Sequence, residues 1–172
     1  MNQIEIIACQ EQELWALLVI SRSTFFESYA QLNTAENMQA YMDNAFTAEK
    51  IGKELSDPQS DFYFAKMYNT VVGYLKLNFA AAQTDLKSAD SLEIERIYVR
   101  KSHQGLGIGK MMLEKALQIA KKKGLATVWL GVWEQNPTAI GFYESQGFVP
   151  FGKHTFQLGE EAQLDILMQR RV

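Results

Sequence analysis

The chain is poor in cysteine, histidine and proline. Its 172 residues include one cysteine, two histidines and three prolines. The single cysteine, Cys9, cannot form an internal disulfide, which favours a reducing compartment. The histidines, His103 and His154, are far apart in the sequence and give no metal-ligand spacing. The sequence therefore predicts a cytoplasmic protein with no metal site.

Long apolar runs and a strong excess of one charge are also absent. No stretch approaches the roughly 20 apolar residues that a membrane span requires, and the N-terminus lacks the pattern of a signal peptide. The 17 basic and 20 acidic residues give a formal charge of −3, and the only basic run is the lysines at 121–123. We therefore expect a soluble protein with neither a membrane nor a nucleic-acid partner.

The composition is that of a globular protein, and hydrophobic residues recur with the periods of helices and strands. Because 47% of its residues are hydrophobic, residues 1–172 can bury one substantial core, and we expect a single domain. The pattern predicts a strand at 4–9, a long helix within 11–30, two short helices capped by Thr34 and Thr47, and a hairpin with its turn at Asn69 and Thr70.

The second half of the chain alternates strands and helices. A strand at 92–99 leads into a glycine-rich stretch and a helix that ends at Gly124, and a strand at 127–133 follows. A helix capped by Asn136 and a closing antiparallel strand pair complete the chain. These elements predict an α/β (α+β) fold in which helices flank a mixed sheet of about six to seven strands.

The stretch SHQGLGIGKMM, residues 102–112, places glycines at alternate positions just before a helix: Gly105, Gly107 and Gly109. It is not a P-loop, because Gln104 and Met111 stand where that motif needs a glycine and a hydroxyl residue. It is not a dinucleotide fingerprint either, because Lys110 occupies the third glycine position. Two interpretations remain: a tight turn, or a row of backbone N–H groups that binds an anion such as a pyrophosphate.

Two segments together match a known family. Gln104, Gly107 and Gly109 fit the pattern Gln/Arg-x-x-Gly-x-Gly/Ala between the fourth strand and the following helix. The second segment has an Asn after the fifth strand, then an Ala, a Phe-Tyr pair and a Gly-Phe pair, filled here by Asn136, Ala139, Phe142, Tyr143, Gly147 and Phe148. Over residues 92–148 the chain thus resembles the GNAT superfamily of acetyl-CoA-dependent N-acetyltransferases. This implies the GNAT fold, whose sheet is splayed between strands four and five, near Gly131.

The resemblance also implies a binding site for acetyl-CoA as cosubstrate. The backbone amides of the glycine loop would bind the CoA pyrophosphate, and the main chain of residues 97–99 would bind the pantetheine arm. The implied cofactor-binding residues are Ile97, Tyr98, Val99, Gln104, Gly105, Leu106, Gly107, Ile108, Gly109, Lys110, Asn136 and Tyr143.

Acetyl transfer to an amine requires a neutral amine, a donor for the oxyanion and a proton for the departing thiolate. The resemblance implies that Tyr143 is the general acid and that a backbone N–H near Arg96 and Ile97 binds the oxyanion. Packing against the sheet is the alternative role for Tyr143. Glu93 and Glu95 lie two apart on one strand, so they share a face and are the candidate bases, directly or through water. Alternatively they form the strand's solvated side, and a bulge would turn either one away.

Four further segments, at 36–46, 91–99, 129–134 and 153–165, resemble the bacterial PaiA-type spermidine/spermine N-acetyltransferases. This implies that a polyamine attacks acetyl-CoA directly in a ternary complex. Because a polyamine carries several positive charges, its site should offer carboxylates, and the candidates are Glu93, Glu95, Glu134, Asp165 and the pair Glu160 and Glu161. Glu93, Glu134 and His154 are the predicted substrate-binding residues. Two alternatives stay open: a protein or peptide amine, amino acid or aminoglycoside as acceptor, or a non-enzymatic CoA-binding regulatory module. The protein is expected to be a monomer or a homodimer.

Overall fold

A computed structural model describes residues 3–172 and contains one mixed sheet flanked by helices. The strands are β1 Ile4–Ala8, β2 Ser60–Met67, β3 Thr70–Phe79, β4 Ser91–Val99, β5 Thr127–Trp133, β6 Val149–Leu158 and β7 Glu161–Arg171. The α-helices are α1 Leu14–Tyr29, α2 Ala35–Ala45, α3 Ala48–Ser56, α4 Ile108–Lys122 and α5 Pro137–Ser145. None of the helices within residues 3–172 is long and apolar enough to cross a bilayer.

The sheet has the order β1-β2-β3-β4-β5-β7-β6, and its only parallel neighbours within residues 3–172 are β4 and β5. The glycine loop and α4 form the crossover that this parallel pair requires. Pairing between β4 and β5 stops at Ile94 and Leu130. The last residues of both strands are therefore not paired with each other, and Gly131 is the first β5 residue beyond the pairing. The predicted fold and its splay at Gly131 are confirmed.

Helices cover both faces of the sheet. One hydrophobic cluster packs α4 side chains such as Met112 and Leu113 against Leu75 and Leu77 of β3. The other packs α1, α2 and α3 against the opposite face, which includes Tyr74. Because side chains alternate along a strand, Lys76 and Asn78 belong to this second face. The central strands are covered on both sides, so the splay provides a route into the interior.

Local signals in the sequence placed most element ends correctly. The side chains of Thr34, Thr47 and Asn136 each accept a backbone N–H at the start of their helices. The predicted hairpin turn at Asn69 and Thr70 is wrong by one residue. Thr70 pairs with Met67, and the turn is formed by Tyr68 and Asn69, both of which have positive φ. Helix α4 begins at Ile108, two residues before the predicted 110, because left-handed Gly107 already caps it.

Candidate active site

A cavity of about 570 Å³ lies where β4 and β5 diverge. Its walls come from the unpaired ends of these two strands, from α1, α2 and α5, and from β6 and β7. Residues of both motifs line one end of the cavity, which we call the donor end. Acidic and aromatic side chains line the rest of the cavity, which we call the acceptor end. The donor-end residues are Ile97, Tyr98, Val99, Gln104, Asn136, Ala139 and Tyr143.

The glycine loop continues from Gln104 to the start of α4, and its backbone N–H groups are free. From Gly105 to Lys110 no backbone N–H donates a hydrogen bond within residues 3–172, and the first bond into α4 runs from the Met111 N–H to the Gly107 carbonyl, at 3.1 Å. A row of free N–H groups at a helix N-terminus suits a pyrophosphate, so the loop fits the phosphate part of CoA. The side chain of Ile108 is buried in the core, so only its backbone faces the loop.

The three glycines of the loop differ in their backbone conformation. Gly105 and Gly107 both have φ of +79°, which favours glycine on backbone grounds alone. Gly109 lies within α4 and has no such φ, and a Cβ added to it would have no atom within 4 Å. Neither backbone strain nor packing within the protein requires a glycine there. The space beside the Gly109 backbone is open.

Tyr143 lies in α5 and reaches the cavity from the donor end. Its side chain is 9% exposed and packs against Phe142 and Phe148, so it also has the packing role that the sequence left open. Burial, with a smaller effect from Tyr29, raises the pKa of its phenol well above the usual range. The hydroxyl is therefore protonated at neutral pH.

Glu93 is buried rather than solvated, with 3% exposure. Its Oε2 accepts hydrogen bonds from the Thr84 backbone N–H at 2.8 Å and from Asn78 Nδ2 at 3.0 Å, and its Oε1 accepts from the Thr84 hydroxyl. Burial raises the pKa of the Glu93 carboxyl, and the hydrogen bonds from Thr84 and Asn78 oppose that rise. Glu93 is thus a carboxylate that takes up a proton more readily than an exposed one.

Glu95 has a different environment. It forms an ion pair with Lys76, lies 3.7 Å from the Arg96 guanidinium, and accepts a hydrogen bond from Asn78 at 2.8 Å. Burial disfavours its ionisation, but the charges of Arg96 and Lys76 outweigh burial and lower the pKa of its carboxyl. Glu54 holds the same two cations, with both guanidinium nitrogens of Arg96 at 2.7 and 3.1 Å. Glu95 therefore stays ionised.

The two carboxylates lie beside a β-bulge. In the pairing of β3 with β4, Lys76 faces Arg96 and Leu77 faces Ile94, so Glu95 has no residue opposite it. Such a bulge was expected to turn one glutamate away. Here it leaves Glu93 and Glu95 bonded to the same amide, and neither lies on a solvated side of the strand.

The acceptor end carries further charge on its far wall. His154 Nδ1 lies 3.7 Å from Asp85 Oδ2, and His154 is directly opposite Asp165 in the pairing of β6 with β7. Burial raises the pKa of the Asp165 carboxyl to about 6, which the charge of His154 partly opposes. Aromatic side chains line the same space: Tyr29, Tyr41, Trp133 and Phe156.

The structure does not bring Glu134 to this cavity. It is exposed, follows the end of β5 and lines an adjoining depression with Glu161 and Ala162, and Trp133 and Gln163 line both spaces. Its predicted role beside Glu93 and His154 has no support from this geometry.

Comparison with known proteins decides the family. The model of the acetyltransferase (GNAT) family matches residues 16–148 of the chain. The chain belongs to the GNAT acetyltransferase family. As a GNAT N-acetyltransferase it uses acetyl-CoA as the acetyl donor.

Relatives of this GNAT chain include both uncharacterized and named enzymes. An uncharacterized N-acetyltransferase of the pepI 3′ region of Lactobacillus delbrueckii subsp. lactis is 38% identical over 99% of this chain and 98% of its own length. The spermidine N(1)-acetyltransferase of Thermoplasma acidophilum is 28% identical over 84% of this chain and 88% of its own length. The crystal structure of PaiA N-acetyltransferase from Thermoplasma acidophilum in complex with coenzyme A covers 99% of each chain with a TM-score of 0.78 and 24% identity, which shows a shared fold.

Sequence reasoning missed several residues of this GNAT site. Asn78, Thr84 and Asp85 lie outside both motifs, and Tyr41 comes from a distant helix. One signal was available for Asn78. In the apolar strand VVGYLKLNF, Lys76 and Asn78 occupy alternate positions, and polar residues on one face of an otherwise apolar strand mark buried partners.

Proposed function

We propose that the protein transfers the acetyl group of acetyl-CoA to a primary amine of a polyamine such as spermidine or spermine. The observation that carries the proposal is the charge of the acceptor end, where one arginine, Arg96, accompanies four carboxylates: Asp85, Glu93, Glu95 and Asp165. A surplus of carboxylates beside aromatic rings attracts a chain of ammonium groups. The likeness to a spermidine N(1)-acetyltransferase supports the same acceptor.

The donor would lie along the donor end, with its pyrophosphate on the free N–H groups that follow Gln104. Its pantetheine arm would run beside residues 97–99, which are exposed to the gap because β4 is not paired with β5 there. Gln104 supports this arrangement, since its Nε2 donates to the Val99 carbonyl at 3.3 Å and ties the loop to β4. In the proposed complex the thioester lies near Tyr143.

The proposed reaction is a direct attack in a ternary complex. Glu93, through an ordered water, takes a proton from the ammonium group, because Glu95 is held in ion pairs and is a poor proton acceptor. The free amine then attacks the thioester carbon. A β4 backbone N–H near Arg96 and Ile97 binds the oxyanion. As the carbon–sulfur bond breaks, Tyr143 gives its proton to the sulfur and regains one from the new amide nitrogen.

The proposal keeps the other expectations from the sequence. Residues 1–172 act as a single N-acetyltransferase domain in the cytoplasm, as a monomer or a homodimer, with no nucleic-acid or membrane partner. His154 remains a proposed acceptor-binding residue because it lies between Asp85 and Asp165 at the cavity wall. Glu134 is not included.

The test is thiol release from acetyl-CoA across a panel of spermidine, spermine, lysine peptides, amino acids and aminoglycosides. We expect saturable turnover with spermidine or spermine and little with the others. Turnover only with another amine would keep the acetyltransferase chemistry and reject the polyamine. A protein that binds acetyl-CoA but acetylates no member of the panel would instead fit a CoA-binding regulatory module.

A further inference from the structure

One buried amide contacts both glutamates of β4. Asn78 is 0% exposed and lies directly opposite Glu93 in the pairing of β3 with β4. Ser60 Oγ donates to Asn78 Oδ1 at 2.9 Å, which fixes the amide with its Nδ2 towards the carboxylates. Nδ2 then donates to Glu93 at 3.0 Å and to Glu95 at 2.8 Å. Both protons of one neutral group are therefore used by two acids.

The shared amide lies beside the bulge of β4. Asn78 is opposite Glu93, and Glu95 is the extra residue of β4, with no residue of β3 opposite it. Both glutamates nevertheless bond to Asn78, so the pairing register of β3 with β4 is part of the arrangement.

The two carboxylates differ in what else compensates their charge. Glu95 has Lys76 and Arg96 as cationic partners, whereas Glu93 has only neutral donors, from Thr84 and Asn78. Two carboxylates this close repel each other, and a donor between them reduces the cost of their charges. Asn78 offers both of them a hydrogen bond without adding charge. Glu93 thus keeps a raised pKa and no cationic partner among the described residues, which suits a proton acceptor.

We propose that Asn78 is a positioning residue that keeps Glu93 and Glu95 in separate roles, the first as the proton acceptor of the reaction and the second as a permanent ion-pair partner. The inference rests on the proposed function for the role of Glu93. Asn78 does not touch the substrate in this arrangement. It acts by fixing where Glu93 Oε2 lies and at which pH that carboxylate is ionised.

The test is Asn78→Asp, which replaces the shared amide donor by a carboxylate of the same shape that can only accept hydrogen bonds when ionised. In Asn78→Asp a third carboxyl group faces Glu93 and Glu95, so we expect the acid limb of the kcat/KM profile for the amine to move up by about one pH unit or more. The KM for acetyl-CoA should stay within about two-fold, since the donor end is not changed. An acid limb that does not move would overturn the inference.

Two further measurements separate this inference from the proposed function and from a folding defect. Asn78→Ala removes both N–H donors without adding charge, whereas Ser60→Ala removes only the hydrogen bond that orients the Asn78 amide. We therefore expect the acid limb of the kcat/KM profile to shift less in Ser60→Ala than in Asn78→Ala. Carboxyl titration of ¹³C-labelled glutamate in the full chain needs no turnover. A shifted Glu93 titration in the Asn78 variants, in a protein that acetylates no polyamine, would reject the proposed function and keep the positioning role. Normal turnover with an unshifted titration would reject the positioning role alone.

Discussion

The donor end and the acceptor end of the cavity are built in opposite ways. The donor end uses backbone groups from two short segments, and its loop from Gly105 to Lys110 leaves its N–H groups unpaired within residues 3–172. The acceptor end uses side chains from strands, helices and loops far apart in the sequence, and the group around Glu93, Glu95 and Asn78 is linked by hydrogen bonds. A ligand bound by backbone leaves a compact signature in the sequence, whereas one bound by assembled side chains does not.

The two ends should also respond differently to substitution. Changes in the exposed loop remove ligand contacts and alter few contacts within the protein. Changes in the buried acceptor network leave charged or polar partners unsatisfied, so they affect stability as well as activity. Variants in which ligand affinity and thermal stability are both measured therefore test this difference between the donor end and the acceptor end.

The largest effect is expected at the loop. Gly107→Val places a branched side chain over the free N–H groups, and we expect acetyl-CoA affinity to fall about 1,000-fold, because several hydrogen bonds to a charged group are lost together. The measurement is the calorimetric Kd for acetyl-CoA.

Gly124→Val is the matched control. Gly124 follows the other end of α4, has φ of +69° beside +79° for Gly107, and likewise has no atom within 4 Å of an added Cβ. Both variants bear a similar backbone strain, so both should lose similar thermal stability. Equal loss of affinity in the two would mean that the loop is only a turn and that strain explains the result.

Tyr143→Phe should have the next largest effect, on the chemical step. Removing the hydroxyl leaves the packing with Phe142 and Phe148 in place, so we expect kcat to fall about 100-fold with KM for acetyl-CoA nearly unchanged. Steady-state kinetics with spermidine measure both. Full turnover in the variant would assign Tyr143 a packing role only.

Asp165→Asn should weaken the acceptor end in a pH-dependent way. In the wild type, the Asp165 carboxyl has a pKa of about 6, so it is charged at pH 8 and largely neutral at pH 5. We expect the variant to raise KM for spermidine about five-fold at pH 8 and less than about two-fold at pH 5. If the variant raised KM for spermidine by the same factor at pH 8 and pH 5, the charge of Asp165 would have no role in binding.

The same substitution has a second consequence, for stability. Burial raises the folded-state pKa of Asp165 above the unfolded value, so the native state binds more protons between about pH 4 and pH 6 and loses stability as the pH rises through that window. Asp165→Asn removes this penalty. The variant should unfold at a higher temperature than the wild type at pH 8, while it binds spermidine more weakly.

The contrast between the two ends also explains what the sequence could predict. The strand-loop-helix unit and the caps at Thr34 and Thr47 are local, so periodicity and spacing located them. The two motifs are also local, and the resemblance to the family identified them. The acceptor network depends on register: the bulge at Glu95 and the position of Asn78 opposite Glu93 come from how β3 pairs with β4. Glu134, an acidic residue close to a motif in the sequence, lines the adjoining depression and not the cavity, which the sequence does not reveal.

The smallest effect is expected from Gly109→Ala, and two measurements should respond to it differently. Alanine is the better helix former, so within α4 we expect a gain of about 0.5–1 kcal/mol and a melting temperature about 1–4 °C higher. Affinity for acetyl-CoA should fall less than about three-fold, because one methyl group only begins to fill the space beside the N–H groups.

Gly141→Ala in α5 provides the comparison, since Gly141 also lies inside a helix with no atom within 4 Å of an added Cβ. It should give the stability gain without any loss of affinity. If Gly109→Ala lowered stability instead, the turn that precedes α4 would require a glycine at residue 109. A gain in stability paired with a loss of affinity at residue 109 alone would show that this helix start keeps a destabilising residue because its backbone must stay open to the donor.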